Sequence, residues 1–261
     1  MYLPVPPQPD CATAWREAMR AVIQHGNEAH NVILDIADPL AGATLANPVV
    51  AAVDAFLEAK GVKPVETVAN TIFPAALYRR YGAPAFYDRF MKRVLPAAGR
   101  DDRWSGYYFE RMINMPTPGG KVINQLDDII DRIADPAVKA RNKFELTLFD
   151  PARDTSRSPY GGQCLSHGSF KVRKTPGGDR LDLTVMYRNH YYVEKLLGNL
   201  IGLGRLMAFV AGEGKIGIGS LTVVSTHAII DQPKASRAEI KALLETCDGL
   251  VANGDGLQPI E

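Results

Sequence analysis

The sequence predicts an α+β fold in which helices and strands are interleaved without a regular βαβ period. Two observations support this class: several segments carry apolar residues at helical spacing, and others alternate apolar and polar residues as half-buried strands do. The chain has 261 residues, 46% of them hydrophobic, which suffices for a sizeable core. We expect one domain over residues 1–261, with an irregular N-terminal arm at 1–10.

Helical patterns dominate the first hundred residues. The spacing of apolar residues predicts an amphipathic helix over 12–24, and Ala-rich segments predict further helices at 49–60 and 83–95. Between the first two of these helices, the β-rich segment NVILDI at 31–36 predicts a strand.

The rest of the chain mixes the two patterns. The turn signal PTPGG (116–120) precedes a helix that runs to Ile133 and is stopped by Asp135-Pro136. Phe144, Leu146 and Leu148 then alternate with polar residues, which predicts a strand. Three more strands are predicted at 168–174, 181–187 and 216–226, with an apolar helix at 195–210.

The composition argues against several classes of partner. The 30 Lys and Arg residues balance 29 Asp and Glu, so no overall field attracts nucleic acid or an acidic membrane surface. The apolar stretch 196–211 contains three glycines, Asn199 and Arg205, which disfavours a membrane span. The three cysteines form no CxxC pair and the N-terminus does not resemble a signal peptide, so we expect a cytoplasmic protein.

Familiar cofactor motifs are absent from the sequence. AGEGKIGIGS (211–220) lacks the spacing of a phosphate-binding loop. The five histidines form no H-E-x-x-H or comparable cluster, so we expect no metal site. The glycines of GNLIGLG (198–204) are expected to let a helix lie close to a sheet or a ligand.

An ordered series of short motifs runs from about residue 104 to residue 230. It comprises Tyr108, MPTPGG (115–120), the helix to Ile133, DPAVKARNK (135–143), QCLSHGSFKV (163–172), YRNHY (187–191), Asn199 and STHAI (225–229). In order and spacing this series resembles the thymidylate synthase family. The resemblance implies a thymidylate synthase-like fold, in which a mixed twisted sheet flanked by helices dimerises through the sheet.

The resemblance implies that Cys164 is a catalytic nucleophile. C5 of uracil is too weak a nucleophile to attack a one-carbon unit, whereas addition of a thiolate to C6 makes an enolate with electron density at C5. The thiol must therefore ionise. Arg188, which the family pattern assigns to the nucleotide phosphate, would bind the dianion and lower the pKa of the thiol. The alternative is that Cys164 is a small buried core residue.

Two further residues are implied to bind the nucleotide. Asn199 corresponds to the asparagine that contacts the pyrimidine edge, because its amide can accept from N3–H and donate to O4. Its alternative role is to cap a helix turn beside Gly198. His227 is implied to lie near the sugar hydroxyl, and its alternative is a strand histidine that is hydrogen-bonded inside the fold.

The resemblance assigns proton transfer to Glu66 and Tyr108. Burial of Glu66 beside Val65 and Val68 would raise the pKa of its carboxyl group and make it a useful acid. An ordinary helix glutamate is the alternative. The phenol of Tyr108 would assist removal of the proton from C5.

The family also carries two cations that cross to the partner subunit and complete its phosphate site. Arg141 and Lys143 are the candidates here, with Lys139 as a competitor. A solvated run of charges is the alternative. If these cations cross, the protein is a homodimer with two-fold symmetry.

The predicted function is transfer of a one-carbon unit from 5,10-methylenetetrahydrofolate to C5 of a uracil nucleotide. Leu165, Tyr191, Ser225 and Ile229 stand where the family carries His, Asp, Asp and Tyr. These departures leave two alternatives open: a pyrimidine nucleotide C5 hydroxymethylase, and a nucleotide-binding relative without catalysis that acts as a sensor or assembly protein. The expected partners are a pyrimidine nucleoside monophosphate and a second copy of the chain, without nucleic acid or membrane.

Overall fold

A mixed, twisted, open sheet forms the centre of the protein. The computed structural model describes residues 2–98, 106–117, 119–155, 157 and 161–254, and within them the sheet has seven strands in the order β1-β2-β9-β7-β6-β5, with β8 beside β9. A separate hairpin pairs β3 with β4. The strands are β1 (Leu3–Pro4), β2 (Glu28–Ile36), β3 (Met115–Pro116), β4 (Val122–Ile123), β5 (Phe144–Thr147), β6 (Leu165–Thr175), β7 (Gly178–Tyr187), β8 (His190–Tyr191) and β9 (Gly217–Ile229).

Helices cover one face of this sheet. The first helix and the long apolar helix α10 contact the sheet directly, and α3 packs on α10 as an outer layer. The helices are α1 (Cys11–Gln24), α2 (Pro48–Ala59), α3 (Val65–Ile72), α4 (Ala75–Tyr81), α5 (Ala85–Arg89), α6 (Leu95–Ala97), α7 (Tyr108–Ile113), α8 (Gln125–Ala134), α9 (Pro151–Asp154), α10 (Leu197–Glu213) and α11 (Arg237–Gly254), with π-helical turns at Phe90–Val94 and Tyr192–Leu196. The predicted α+β class is confirmed.

The helix predicted over 83–95 is interrupted. It begins as α5, widens into the π-helical turn Phe90–Val94 and ends in α6. Pro96 is the second residue of α6 and has no N–H to donate, so a regular i to i−4 bond to Lys92 inside the turn cannot form. Phe86 and Phe90 are nevertheless both fully buried, as the apolar pattern requires.

The N-terminal arm is more regular than predicted. Leu3 and Pro4 pair in parallel with Val32 and Ile33 of β2, and the N–H of Gln8 donates to the carbonyl of Asp35 at 2.8 Å. The edge of β2 would otherwise present unpaired backbone groups, and the arm satisfies them.

The helix α10, together with the π-helical turn before it, forms the core of the fold. The segment Tyr192–Glu213 is long and apolar enough to cross a membrane by length and composition, and it is the one such helix among the described residues. Since 78% of its most apolar window is buried inside the protein, its apolar surface is used by the core. This burial is typical of a central helix in a soluble protein.

Two glycines allow α10 to approach α3. A Cβ at Gly198 would lie 2.6 Å from Cβ of Val68, and one at Gly202 would lie 2.7 Å from the carbonyl oxygen of Ala69. The close neighbour of these glycines is therefore a helix, and not the sheet or ligand that the sequence led us to expect.

The sheet is kinked along a line that crosses four strands. The irregular positions are Ser166 in β6, Arg188–Asn189 between β7 and β8, Thr226 in β9, and Asn31 in β2, and we call them the kink line. Asn31 has a φ of 53°, and in β2, in β9 and at the β7–β8 junction the buried positions on either side of the line are three residues apart instead of two. The hydroxyl of Thr226 donates to the carbonyl groups at the break in β7. Such irregularities are enriched beside active sites.

The other face of the sheet is partly open to solvent. Along β7 the side chains alternate between buried and exposed, and Met186 is 41% exposed. Val224 of β9 and Ile33 of β2 are only half-buried. A layer of apolar and small polar side chains thus remains partly uncovered on the face opposite α1 and α10.

Candidate active site

Cys164 and Arg188 are direct neighbours across the β6–β7 hairpin. Leu165 pairs with Tyr187, so the residues before and after this pair face each other, and the N–H of Arg188 donates to the carbonyl of Cys164 at 2.8 Å. Both residues lie at the kink line. The thiol is partly buried, whereas Arg188 is exposed. The structure therefore brings together the two residues that the sequence linked, although they are 24 positions apart in the printed sequence.

The electrostatics of the thiol differ from the prediction. Burial raises the pKa of Cys164 above its usual value, and the positive charges of Arg188 and Lys195 lower it only in part. The guanidinium of Arg188 is engaged with the turn, since Nε donates to the carbonyl of Gln163 at 3.0 Å and Nη2 to that of Gly161 at 2.9 Å. Arg188 thus lowers the pKa of the thiol, as we predicted, but burial has the larger effect and the pKa remains above its usual value.

Two buried phenols lie beside the thiol. Tyr108, at the start of α7, is close enough for hydrogen bonds with the backbone at Leu165 and Cys164, and its ring meets that of Tyr187 edge-on at 6.3 Å. Burial raises the pKa of both Tyr108 and Tyr187, and the proximity of Cys164 raises both further. Both phenols are therefore neutral hydrogen-bond donors near physiological pH.

The hydroxyl of Tyr187 has an unusual position. It is fully buried and has no hydrogen-bond partner among the described residues. A buried hydroxyl without a partner is costly and rare in native proteins. It lies close enough to Cys164 for the charge of the sulfur to raise its pKa further.

A chain of buried polar side chains continues from Tyr187 to Asn199. The ring of His190 stacks on that of Tyr187 with centroids 3.9 Å apart, and its Nε2 lies 2.9 Å from Nδ2 of Asn199. On the other side of the ring, Nδ1 lies 3.0 Å from Oγ of Ser225, which also accepts from the hydroxyl of Tyr192 at 3.2 Å. Burial lowers the pKa of His190 to about 3, so the imidazole is neutral.

Asn199 lies inside α10 and is only 3% exposed. It does not cap a helix turn, because α10 begins at Leu197 and no side chain caps it. The bond to His190 connects Asn199, through the ring stack, to the residues around Cys164.

His227 is held by other side chains. Its Nδ1 lies 2.6 Å from Oδ1 of Asn189 and its Nε2 lies 3.0 Å from Oε1 of Glu28, while the ring of His30 meets it edge-on at 5.4 Å. These contacts match the alternative of a strand histidine that is hydrogen-bonded inside the fold. A contact with a sugar remains a prediction.

Glu66 does not have the environment that a catalytic acid needs. Its carboxylate forms a two-pronged ion pair with Arg205 at 2.9 and 2.7 Å, and Nδ2 of Asn70 donates to it at 3.2 Å. The hydrogen bond from Arg205 lowers the pKa of Glu66, opposite to the rise that we predicted. The side chain is about half-exposed because it lies on the first turn of α3 and points away from Val65 and Val68, which are buried. The pair joins α3 to α10.

Arg141 and Lys143 are far from Cys164 within one chain. Arg141 pairs with Asp179 at 2.7 Å, and Asp179 faces Lys174 at the opposite end of the β6–β7 hairpin. Ten residues of strand separate that end from Cys164, which is roughly 30 Å. Lys143 is exposed. This distance places Arg141 out of reach of Cys164 in the same protomer, and Lys143, next to Phe144 and its partner Phe170, also lies well along the hairpin from the thiol.

A cavity of about 330 Å³ lies next to the segment that carries Tyr108. Tyr107 is part of its wall, and the side-chain oxygen Oδ1 of Asn70 is buried without a hydrogen-bond partner among the described residues. Its volume is at the lower end of the range of small-molecule sites. The residues that line it are Thr67, Asn70, Pro74, Ala76, Leu77, Val94 and Tyr107.

The sequence did not identify Tyr187, His190, Ser225 or Lys195 as site residues. Tyr187 and His190 lie in the YRNHY motif, but the contact between His190 and Ser225 spans 35 residues and depends on the register of β8 and β9. No local pattern signals it. In the part of the chain that the structure describes, no group of three or more His, Cys, Asp or Glu side chains is arranged to hold a metal ion.

Comparison with known proteins gives no further guidance. No protein-family model matches the chain, and a search of the curated proteins finds no relative.

Proposed function

We propose that this protein is a thymidylate synthase-like transferase that adds a one-carbon unit to C5 of a uracil nucleotide, with Cys164 as the nucleophile. The observation that carries the proposal is the pairing of Cys164 with Arg188 at the kink line, from which a buried chain of side chains leads to Asn199. A thiol, a cation and a buried amide in one place are the groups that the chemistry needs. A cytoplasmic location is proposed with it, because a free thiol must stay reduced.

In this mechanism the sulfur of Cys164 forms a bond to C6 of the pyrimidine, and the electron pair of the C5–C6 double bond moves toward O4. The amide of Asn199 would stabilise the charge on O4 by a hydrogen bond. After C5 has bonded to the one-carbon unit, the proton on C5 leaves and the bond between that carbon and a folate nitrogen breaks. A hydride from the folate, or a hydroxide from water, would then add to that carbon while the bond between sulfur and C6 breaks, which restores the ring, releases the thiolate and gives a methyl or a hydroxymethyl product. The exposed guanidinium of Arg188 would bind the phosphate.

The raised pKa of Cys164 means that few molecules carry a thiolate in the free protein. Arg188 and Lys195 already oppose the effect of burial. Lys195 is paired with Glu194, which reduces its influence. The hydroxyl of Tyr187 would donate to a ligand atom beside the sulfur and thereby satisfy its own buried oxygen.

The cavity beside Tyr107 is assigned in this proposal to a second substrate. 5,10-Methylenetetrahydrofolate would supply a one-carbon unit that accepts electrons from C5. Asn70 would hold an N–H group of that molecule through its buried Oδ1, and Leu77 and Val94 would pack on its apolar parts. Tyr107 lies in the wall of this cavity and the next residue, Tyr108, lies beside Cys164, so one segment connects the cavity to the thiol.

A second candidate function is nucleotide binding without catalysis. Its support is the raised pKa of Cys164 together with the engagement of Arg188 by backbone carbonyl groups. Both features reduce the activation of the thiol. A protein of this kind would bind the nucleotide as a sensor or assembly partner.

One experiment distinguishes the two functions. The protein is incubated with dUMP, UMP, dCMP or CMP and 5,10-methylenetetrahydrofolate, and the mass of the nucleotide base is then measured by mass spectrometry. A gain in mass supports the transferase, and its size distinguishes a methyl from a hydroxymethyl product. Cys164→Ser should abolish the gain, whereas Cys247→Ser, a change at a buried thiol elsewhere, should not. Covalent trapping by a 5-fluoropyrimidine nucleotide would exclude the binding-only function. A thermal shift without trapping or mass gain would exclude the transferase.

We further propose a homodimer that forms through the open face of the sheet. The support is the partly uncovered layer around Met186, Val224 and Ile33. In such a dimer Arg141 and Lys143 would act in the partner's site, since they are too far from Cys164 of their own chain. Mixing a Cys164→Ser variant with an Arg141→Ala/Lys143→Ala variant should restore activity that neither has alone. If activity does not return in the mixture, the proposal that Arg141 and Lys143 act in the partner's site is wrong.

A further inference from the structure

One fully buried phenol beside the candidate nucleophile makes no hydrogen bond. Tyr187 is 0% exposed, and its hydroxyl has no hydrogen-bond partner in the part of the chain that the structure describes. An unpaired hydroxyl in a place that water does not reach costs free energy, which a phenylalanine at the same position would avoid. The hydroxyl of Tyr187 therefore lowers the stability of the free protein.

The register of the sheet places this phenol next to the thiol. Tyr187 pairs with Leu165 across the β6–β7 hairpin, and the main-chain N–H directly after Tyr187 donates to the carbonyl of Cys164 at 2.8 Å. The ring stacks on that of His190 with centroids 3.9 Å apart and meets that of Tyr108 edge-on at 6.3 Å. Because the ring is held by two neighbouring rings, its hydroxyl cannot turn toward a distant acceptor.

The neighbours of the ring offer few acceptors for this hydroxyl. Both ring nitrogens of His190 already face other side chains, at 2.9 and 3.0 Å. The hydroxyl of Tyr108 is directed to the backbone at Leu165 and Cys164. Among these neighbours there remains the sulfur of Cys164, which makes no hydrogen bond with the hydroxyl in the resting protein. Rotation about its Cα–Cβ bond moves the sulfur between staggered positions without any movement of the main chain.

Ionisation turns this sulfur into a strong acceptor. A neutral thiol accepts weakly, whereas a charged acceptor forms hydrogen bonds about twice as strong as a neutral one does. The phenol of Tyr187 keeps its own proton, because burial, the phenol of Tyr108 and the nearby thiol all raise its pKa. The positive charges that act on the sulfur are those of Arg188 and Lys195, and Lys195 is paired with Glu194.

We propose that Tyr187 is a further catalytic residue, whose hydroxyl donates a hydrogen bond to the sulfur of Cys164 once the thiol has lost its proton to solvent. The hydroxyl is unpaired in the resting protein and paired in the reactive form, so the free energy of pairing favours the thiolate. After the sulfur has bonded to a ligand, the same hydroxyl is released for an atom of that ligand. The inference rests on the proposed function, because it treats Cys164 as the nucleophile.

The ionisation of the thiol can be measured without any ligand. The difference in ultraviolet absorbance between the wild type and Cys164→Ser, followed against pH, reports the thiolate of Cys164. The same difference is then measured between Tyr187→Phe and the Tyr187→Phe/Cys164→Ser double variant. Its midpoint should lie about one pH unit higher, which is a tenfold loss of thiolate at a fixed pH, because the donor is gone. An unchanged or lower midpoint would overturn the inference.

The stability of the same variant should change in the favourable direction. Near neutral pH, where the thiol is protonated, Tyr187→Phe removes an unpaired buried hydroxyl, so the Tm should rise by a few degrees. Tyr192→Phe is the matched control, since Tyr192 is also 0% exposed but its hydroxyl donates to Oγ of Ser225 at 3.2 Å. It should lower the Tm and leave the midpoint of the thiol at the wild-type value. Equal losses of Tm in the two variants would mean that the hydroxyl of Tyr187 is already paired, which contradicts the inference.

Failure of the inference and failure of the proposed function give different results. The titration of the thiol needs no nucleotide, so it decides the role of Tyr187 whatever the wild type binds. If the wild type is not trapped by a 5-fluoropyrimidine nucleotide and adds no mass to any base, the proposed function is wrong. If the wild type is trapped, Tyr187→Phe should be trapped about tenfold more slowly at the same pH. Equal rates of trapping would mean that Cys164 is the nucleophile and that Tyr187 has no part in its activation.

Discussion

The backbone N–H of Arg188 donates to the carbonyl of Cys164 at 2.8 Å, so the cation and the thiol are joined through the main chain as well as by charge. The guanidinium also returns to the carbonyls of Gln163 and Gly161, which precede the thiol. Arg188 therefore acts on the position of Cys164 and on its ionisation at once, and its substitution affects both.

The thiol of Cys164 should be less reactive than a free cysteine near neutral pH. Burial raises its pKa above the usual 9.0, so its rate of alkylation by iodoacetamide should still be rising at pH 9. Arg188→Met removes a charge that lowers the pKa, and the rate at a fixed pH should fall further. The rate is measured by mass spectrometry of the peptide that contains Cys164.

The other two thiols provide an internal control for that experiment. Cys11 and Cys247 are both buried, and burial raises the pKa of Cys247 to about 11. They should be labelled only when the protein unfolds. A pH profile for Cys164 that levels off below pH 8 would contradict the prediction.

A buried ion pair should stabilise the segment that precedes the thiol. Arg111 of α7 pairs with Asp154 of α9 at 2.8 Å, and their side chains are only 4% and 2% exposed. Arg111→Met would leave the carboxylate of Asp154 buried without its partner, which costs about 3–5 kcal/mol of unfolding free energy. Urea denaturation measures the change.

The control for this variant is an exposed ion pair of the same chemistry. Arg173 pairs with Asp182 at 2.7 Å on the surface of β6 and β7. Arg173→Met should leave the urea midpoint nearly unchanged, because exposed pairs contribute little. Equal urea midpoints for the two variants would show that the buried ion pair contributes no more to the free energy of unfolding than the exposed one.

The contact between α10 and α3 predicts opposite effects of the same substitution at two glycines. Gly198→Ala would place a Cβ 2.6 Å from Val68 and 2.9 Å from the carbonyl of Val65, and should destabilise the protein by about 1–3 kcal/mol. Gly212→Ala, on the same helix, meets nothing within 4 Å and should stabilise it by about 0.5–1 kcal/mol. Thermal and urea unfolding measure both. A neutral Gly198→Ala would mean that the helices can separate freely.

His190 should make the protein sensitive to acid. Burial lowers its pKa to about 3, from 6.5 in an unfolded chain, so between these values the unfolded state binds more protons than the folded state. Stability conferred by the neutral ring is fully present above pH 6.5 and is lost as the pH falls toward 3, by up to about 5 kcal/mol. His190→Gln, which does not titrate, should show a shallower fall in unfolding free energy.

The quantity to compare is the pH dependence of the unfolding free energy in the wild type and in His190→Gln. Burial raises the pKa of Asp231 to about 6, which gives an opposite slope in the same pH range, but the effect is present in both and cancels. Above pH 6.5 the slopes of the wild type and of His190→Gln should coincide. Identical slopes throughout would contradict the assignment.

The sequence predicted those features that depend on the pattern of residues within one segment of the chain. The helix α8 follows from apolar spacing and a proline stop, and the strands β6 and β7 follow from alternation. The link between Cys164 and Arg188 was implied by the resemblance to the thymidylate synthase family, and the β6–β7 hairpin brings the two residues together. Features that depend on distant contacts were not predictable in this way.

Glu66 and His190 illustrate the difference. Glu66 is bound by Arg205, which is 139 residues away, and no property of the segment around Glu66 predicts that its pKa is lowered. His190 meets Ser225 only because β8 lies in parallel beside β9 with Ala228 as its partner. Contacts between elements that are distant in the sequence decide the environment of both side chains.

The kink line places a limit on how this chain can change in length. The alternation of buried and exposed side chains is interrupted at the same level in β2, β6, β9 and the junction of β7 with β8. Inserting or deleting one residue in a single strand at this level would move the remaining side chains of that strand to the opposite face of the sheet. Neighbouring strands could not compensate unless they changed together. We therefore expect the fold to tolerate substitutions along this line more readily than insertions or deletions of a single residue.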